Sequence, residues 1–193
     1  MKKIFMAIVL CLVCTFSFGQ EHLTFKNVEI DGDMLVFCQK METCGFTTVQ
    51  QYDDEGIVQM KGTFMGYRDC SLFVIGTQKS KKVWKVIVDI PEVENDFYTL
   101  KSQYENAVEA YTKKYGKPDS DFYFFRRPYY EGDGYEMQAL RLEKLIATSF
   151  WHINNGTIVV KITKYQNLQI GYEDKKNCEI HSQEKQENIN NDI

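Results

Sequence analysis

Histidine is scarce in this sequence, and the cysteines do not form the pairs that usually bind zinc. The 193 residues include three histidines, of which His22 and His181 fall in segments predicted to be flexible. The four cysteines that follow residue 19 contain no C-x-x-C pair. A zinc site needs about four such ligands close together, so it would have to draw them from distant segments. We therefore expect no metal and no cofactor.

Motifs of enzyme catalysis are also missing. No stretch matches a nucleophile motif such as G-x-S-x-G, so His152, in a predicted strand, has no recognisable partner as a general base. We expect it to be a hydrogen-bonded strand histidine. No acidic segment has the complete D-x-D-x-D-G calcium loop. Helix caps and surface turns are the expected roles of Asp31–Asp33, Asp53–Glu55 and Glu131–Gly134.

The chain has no excess of basic residues. It has 23 Lys and Arg against 27 Asp and Glu, a formal net charge of −4, and the basic residues form no stripe. Nucleic-acid binding is therefore not expected.

The N-terminus carries the only long apolar run. Lys2 and Lys3 precede Ile4–Phe18, a run shorter than the roughly 20 residues of a membrane span. This pattern predicts a signal peptide over residues 1–19, cleaved before Gln20, and a periplasmic or secreted protein with no transmembrane segment after cleavage. An uncleaved N-terminal anchor is the weaker alternative, because the apolar run is too short to span a membrane comfortably. A lipid anchor is disfavoured because no small residue precedes either cysteine of the run.

Four cysteines remain after residue 19: Cys38, Cys44, Cys70 and Cys178. In an oxidising compartment they permit two disulfides with three possible connectivities. Cys38 and Cys44 lie on different sides of a predicted helix, whereas Cys44 and Cys70 are easier to join. Buried free thiols between helix and sheet are an equal alternative.

Gly56–Pro91 gives the longest strand signal. Val58 and Met60 alternate with polar residues in a first strand, and Val86 and Val88 do so in a third. Between them, the unbroken apolar run Leu72–Ile75 predicts a central strand covered on both faces. Gly62 and Gly66 are expected to permit a bulge or a tight bend.

Helical and extended patterns divide the rest of the chain. Helices are predicted from Asp33 to Gly45, from Asn95 or Asp96 to Gly116, and across Tyr135–Lys144. The polar end, residues 175–193, is predicted to be disordered. Further strands are predicted over 46–51, 122–125, 145–153, 157–164 and 168–173, with a hairpin at Asn154-Asn155-Gly156.

These patterns predict an α+β fold of two tandem units, each a helix packed on an antiparallel sheet. The first unit covers residues 20–93 and the second covers 94–174. No residue identity links the two halves.

Two resemblances follow from these residues. The order of one helix followed by antiparallel strands occurs twice and resembles the tandem fold of the beta-lactamase inhibitor protein. This is a likeness of fold alone. The second resemblance is to a family of secreted proteins of unknown function from Gram-negative gut anaerobes, and it implies no activity. The segments that carry it are LTFKNVEIDGDMLVFCQKMETCGF, GTFMGYRDC, KKYGKP, NNGTIVVKI and IGYEDKKN.

Aromatic residues are concentrated after the second helix. Residues 122–135 contain seven aromatics and two arginines, types that are enriched where proteins bind other proteins, and aromatics also stack on sugars. The alternative is that this strand lies between the two units, with its tyrosines covering the second helix. The predicted interface consists of Arg126, Arg127, Tyr129, Tyr130 and Tyr135.

The leading hypothesis for function is a non-catalytic binding or interaction module whose partner is an envelope protein or glycan. One alternative is an envelope hydrolase whose site includes His152, and it requires a hydroxyl or carboxylate within reach of that histidine in a cleft. Another is a carrier of a small apolar ligand held by Met60, Phe64 and Trp84.

Overall fold

The computed structural model describes residues 21–52, 54–91 and 96–191. The predicted signal peptide, its cleavage point before Gln20 and the predicted unit boundary at residues 93 and 94 lie outside them. The helices are α1 (Met34–Thr43), α2 (Phe97–Tyr115), α3 (Glu136–Arg141) and α4 (Lys175–Asn191). The strands are β1 (Thr24–Phe25), β2 (Val28–Glu29), β3 (Phe46–Tyr52), β4 (Ile57–Phe64), β5 (Tyr67–Gly76), β6 (Val83–Ile90), β7 (Ser120–Phe125), β8 (Leu145–Ile153), β9 (Gly156–Ile162) and β10 (Leu168–Asp174).

The predicted α+β class with an antiparallel sheet is confirmed, but the arrangement of the strands differs from the prediction. Strands β3 to β10 form one sheet in the order β3-β4-β5-β6-β10-β9-β8-β7. Two stacked units with separate sheets are therefore not what the chain forms. The last strand of the first half, β6, pairs directly with the last strand of the second half, β10, for example at Val88 and Ile170.

Helix ends agree with the caps that the sequence predicts. The Asp33 carboxylate accepts the backbone N–H of Leu35 at 2.8 Å and starts α1, and Asp96 accepts that of Thr99 at 2.8 Å and starts α2. Gly116 ends α2 with φ at +88°, a conformation that glycine adopts without strain. The predicted helix around residues 135–144 is confirmed as α3.

One face of the sheet is covered by α1, α2 and the β1–β2 hairpin. α1 contacts β3 and β5, while α2 contacts β8, β9 and β10. The hairpin carries Phe25, which is 1% exposed and packs its ring against the rings of Phe46, Phe64 and Tyr172, with centroids 5.2 to 6.1 Å away. Phe25 therefore bridges residues of both halves of the chain within one core.

Within the described residues, the centre of the other face carries no such layer, and α4 contacts β6, β9 and β10 beside Trp84 and Glu173 at one end of the sheet. Leu72 and Val74 on β5 are fully buried, whereas Phe73 and Ile75, which point to the opposite face, are only half-buried. The prediction that Leu72–Ile75 is covered on both faces is therefore wrong. The apolar run has one face in the core and one face near solvent.

The C-terminal segment is ordered as α4, so the prediction of disorder over residues 175–193 is wrong for 175–191. Its few apolar residues gave no amphipathic stripe. Polar contacts hold it instead: Asn177 Nδ2 donates to the backbone oxygens of Ile30 and Val83 at 3.1 and 2.8 Å. Hydrogen bonds between distant segments leave no periodic pattern in the sequence.

A second set of contacts joins α4 to the turn between β5 and β6. The Glu184 carboxylate accepts Ser80 Oγ at 2.6 Å and the backbone N–H groups of Lys79 and Ser80 at 2.8 and 3.1 Å. The His181 ring stacks on Trp84 with centroids 4.3 Å apart. His181 is therefore part of a packed contact, contrary to the expected flexible end.

We expect Glu184→Gln to lower stability at neutral pH and to have little effect in acid. Burial opposes the charge, but hydrogen bonds from Ser80 and Lys79 outweigh it and lower the pKa of Glu184 below its usual 4.5. The charged carboxylate therefore contributes its full stabilisation at pH values above the usual 4.5. This contribution disappears as the pH falls through the lowered pKa.

Urea unfolding at pH 7 should show a loss of about 1 to 3 kcal/mol. The loss should shrink towards zero as the pH falls through the lowered pKa of Glu184. Glu187→Gln, which removes an exposed pair with Lys79, is the control and should cost less than about 0.5 kcal/mol. A loss that stays constant from neutral to acid pH would contradict this role for the charge.

The four cysteines Cys38, Cys44, Cys70 and Cys178 are free thiols in this structure. Burial raises the pKa of the Cys38 thiol to about 11, and Cys70 Sγ donates to the Tyr67 carbonyl at 3.3 Å. Of the two arrangements considered, the structure has buried and half-buried thiols between the elements.

Across the described residues, no helix combines the length and apolar character that crossing a membrane requires.

Candidate interaction surface

The face of the sheet opposite α1 and α2, here called the open face, carries an apolar row across five neighbouring strands. Strand spacing of about 4.8 Å makes the row about 19 Å long. Exposed apolar patches of this kind are typical of binding surfaces. The row consists of directly paired, half-buried residues on β5, β6, β10, β9 and β8: Phe73, Ile87, Gly171, Val159 and Phe150.

Gly171 lies at the centre of the row, and the space above it is open. A Cβ built on Gly171 meets no heavy atom within 4 Å, and its backbone is not in the left-handed region. Neither crowding nor conformation within the chain therefore requires a glycine here. Glycine inside a strand often marks a place where a ligand or another backbone approaches closely. The open face thus has a shallow depression between Ile87 and Val159.

Polar side chains surround the apolar row. Lys85 and Glu173, on adjacent strands, form an ion pair at 2.6 Å, and Gln169 donates to Asp89 at 2.8 Å. Burial raises the pKa of Asp89 although the hydrogen bond from Gln169 opposes it. An apolar centre with a polar border is the usual composition of a protein interface.

The aromatic strand β7 lies at the edge of the sheet, so the alternative that placed it between two units is wrong. Phe122 and Phe124 point to the open face and are 45% and 41% exposed. Phe122 contacts Phe150 at 6.4 Å between centroids, which extends the apolar row to the edge. Phe125 points to the covered face and packs on Phe97 of α2.

The loop after β7 brings three of the five predicted interface residues together. Tyr129, Tyr130 and Tyr135 line a shallow pocket of about 370 Å³. Tyr130 and Tyr135 are 65% and 60% exposed. Asp133 shapes the loop by accepting the backbone N–H groups of Tyr130 and Tyr135 at 3.0 and 2.8 Å.

The two arginines of the predicted interface lie elsewhere on this edge. The Arg126 guanidinium is 5.9 Å from the centre of the Phe124 ring, so it borders the open face. Arg127 is exposed and does not line the tyrosine pocket. The open-face row itself was missed at the sequence level, because its five members come from five strands. The unbroken apolar run Leu72–Ile75 includes Phe73 of this row, but it was interpreted as a strand covered on both faces.

His152 lies at one end of the open face and forms the expected strand hydrogen bond. Its Nδ1 is 3.1 Å from Thr157 Oγ1, and both residues line a cleft of about 390 Å³. This contact also meets the geometric requirement of the hydrolase alternative. However, no group in the described residues holds Nε2 of His152 as a triad would. Cys178 lines the same cleft, and burial raises the pKa of its thiol, which disfavours the reactive thiolate.

His22 is held in place, contrary to the expected flexible end. Its Nδ1 is 3.1 Å from the buried Asp174 carboxylate. Two of the acidic turns act as turn and cap residues as expected, with Asp33 on α1 and Asp133 in the tyrosine loop. Within residues 21–52, 54–91 and 96–191, no three His, Cys, Asp or Glu side chains are grouped to hold a metal ion.

The three residues proposed to hold an apolar ligand do not meet in one cavity. Met60 is fully buried on the helix side of the sheet, and Trp84 stacks on His181. Phe64 lines a cleft between the β1–β2 hairpin and α2, and neither Met60 nor Trp84 is among the described residues that line this cleft.

Comparisons of the chain with protein-family models, with curated proteins and with solved structures find no match. Function is therefore inferred from the geometry of this surface.

Proposed function

We propose that the protein is a periplasmic or secreted, non-catalytic binding module that holds a partner on the open face of its sheet. The apolar row across five strands, centred on Gly171, is the observation that carries this proposal. An envelope protein is the favoured partner and a glycan the alternative, because aromatic side chains at the edge of the face suit both.

The size of the open face fits such a role. Four strand spacings of about 4.8 Å and eight residues of about 3.3 Å give roughly 500 Å². The exposed rings of Phe122 and Phe124 and the tyrosine loop add to this area. A stable interface buries about 800 Å² on each partner. The open face together with the β7 edge is therefore large enough for one protein partner.

Export supports the choice of partner and rests on the N-terminal sequence. Lys2 and Lys3 followed by Ile4–Phe18 have the composition of a signal peptide. Mass spectrometry of the protein recovered from its native host would test this. A mature chain beginning at Gln20 is expected, and an intact N-terminus on a cytoplasmic protein would contradict it.

We further infer that the chain is two units fused edge to edge. The order of the strands supports this, because each half places a helix before a four-strand meander and the two meanders meet at β6 and β10. Superposition of residues 34–90 on 97–174 tests it. A rotation of about 180° that matches strand to strand is expected, and a mismatch of strand order or register would contradict it.

Gly171→Arg tests the binding face directly. A Cβ at Gly171 meets no heavy atom within 4 Å, so an arginine there starts without a clash and its long side chain extends over the apolar row. We expect capture of the partner from native envelope, by crosslinking and pull-down, to fall at least tenfold. Stability should stay within about 1 kcal/mol of the wild type.

Gly171→Ala adds only a methyl group, so it should reduce capture less than Gly171→Arg does, and the size of its effect reports how closely the partner approaches Gly171. Ser102 is exposed on α2, so Ser102→Arg tests whether an added positive charge away from the open face reduces capture by itself. Tyr130→Ala/Tyr135→Ala reports separately on the tyrosine loop. Equal capture by folded Gly171→Arg and wild type would show that the open face is not the interface.

A hydrolase is the second candidate, favoured by the contact between His152 and Thr157 in a cleft. Hydrolysis of p-nitrophenyl acetate by the purified protein, compared with His152→Ala, tests it. Equal rates for the two proteins would reject this candidate.

A further inference from the structure

A cleft on the helix side of the sheet has the composition of a small-molecule site. It opens between the turn of the β1–β2 hairpin, the turn between β4 and β5, and the last turns of α2. Its volume is about 250 Å³, slightly below the range of pockets for drug-sized ligands. The open face is on the opposite side of the sheet, so the two surfaces are separate.

Aromatic rings form the floor and walls of this cleft. Tyr111 and Tyr172 are 7% and 5% exposed, and their hydroxyl groups hydrogen-bond to each other. Burial raises the pKa of both phenols, so they remain neutral. Phe64 and Tyr115 are half-buried at the sides. Paired hydroxyls leave mainly ring faces and edges to contact a ligand, and these surfaces favour a flat apolar body.

Two exposed lysines, Lys26 and Lys114, line the cleft. Lys26 Nζ donates to the carbonyl oxygens of Cys44 and Thr63 at 3.2 and 3.5 Å, and Lys114 Nζ lies 4.9 Å from the centre of the Tyr115 ring. Neither ammonium group forms an ion pair with any carboxylate of residues 21–52, 54–91 and 96–191. Among the described residues, none of those that line the cleft is acidic. In a protein of net charge −4, this is a local site of positive charge.

We propose that the cleft binds a small aromatic carboxylate. The ring of the ligand would pack among Phe64, Tyr111 and Tyr172, and its carboxylate would contact Lys26 and Lys114. The two ammonium groups disfavour a cationic ligand. The small volume disfavours a long acyl chain. This site is independent of the proposed partner on the open face.

Titration of the full protein with phenylacetate, followed by NMR and calorimetry, tests the proposal. Phenylacetate is expected to bind with a Kd of about 0.1 to 1 mM, a range that its few atoms allow. Phenylacetamide, which is neutral and nearly identical in shape, should bind at least fivefold more weakly.

Variants separate the charge from the cavity. Lys26→Met/Lys114→Met should weaken phenylacetate at least tenfold and phenylacetamide less than threefold. Ala110→Trp, at the rim of the cleft, should block both ligands. Lys113→Met is the control, because Lys113 pairs with Glu109 on the exposed side of α2 and does not line the cleft.

Three results would overturn the proposal. The first is no binding of phenylacetate at about 10 mM. The second is equal binding of phenylacetate and phenylacetamide. The third is phenylacetate binding that is unchanged in both Lys26→Met/Lys114→Met and Ala110→Trp. Failure here leaves the open-face proposal intact, since none of these variants touches that face.

Discussion

Phe25→Ala is expected to lower the free energy of unfolding by about 3 to 5 kcal/mol. Phe25 is 1% exposed and contacts rings from β3, β4 and β10. Because β10 belongs to the second half of the chain and β3 and β4 to the first, the cavity would open between the two halves. The surrounding strands are held by sheet hydrogen bonds and have little freedom to collapse into it.

Denaturant unfolding followed by circular dichroism measures this loss. Phe122→Ala makes the same change at a ring that is 45% exposed, so it should cost less than about 1 kcal/mol. A single cooperative transition in Phe25→Ala is expected, because one sheet joins both halves. Similar losses for the two variants would mean that the hairpin does not serve as a structural bridge.

Local patterns in the sequence predicted individual elements well. The caps of α1 and α2 follow from Asp33 and Asp96, and the bulge expected at Gly62 appears as a register shift between Gly62 and Phe64. A Cβ on Gly62 would lie 2.8 Å from the Gly45 carbonyl oxygen, which explains the glycine. Each of these features depends on residues close together in the chain or on one tight approach.

Pairing of distant strands could not be predicted in the same way. β6 and β10 are joined by hydrogen bonds between residues about 80 positions apart, such as Asp89 and Gln169. Apolar alternation shows that a strand has a dry face but does not say which strand lies beside it. Two separate sheets and one continuous sheet give the same alternation, so only the structure distinguishes them.

The candidate binding surface was predicted only where its residues are neighbours in the sequence. The aromatic cluster after α2 was recognised because it is contiguous, and its loop does present Tyr130 and Tyr135 to solvent. The row centred on Gly171 was missed because it runs perpendicular to the strands. The run Leu72–Ile75 looked like a fully covered strand, since nothing in it shows that one face lacks a covering layer.

Asp174→Ala is expected to have an effect of the same size as Phe25→Ala, about 3 to 5 kcal/mol. Asp174 is fully buried at the end of β10, where its carboxylate joins the N-terminal segment to α4. It accepts the backbone N–H of Leu23 at 2.8 Å, the backbone N–H of Asn177 at 3.0 Å and His22 Nδ1 at 3.1 Å. Its removal leaves these buried donors without an acceptor, and each costs about 1 to 3 kcal/mol.

Glu173→Ala is the control at the adjacent position. Glu173 pairs with Lys85 on the open face. The Glu173 side chain is 34% exposed to solvent and the Lys85 side chain is 25% exposed. A pair that remains accessible to water contributes about 0 to 1 kcal/mol, so this variant should remain close to the wild type. The comparison separates the loss of a buried acceptor from the loss of a negative charge.

The rate at which a thiol reagent labels Cys178 gives a local measurement on α4. Cys178 lies in the first turn of α4 and is half-buried in the cleft beside His152, so its labelling rate reports how tightly this turn is packed. In Asp174→Ala, opening of α4 should become easier, and labelling in native buffer should accelerate at least tenfold. Unchanged labelling together with a large global loss would place the cost in the N-terminal segment around Leu23. Small effects in both measurements would contradict the role of Asp174 as the link between the two ends of the chain.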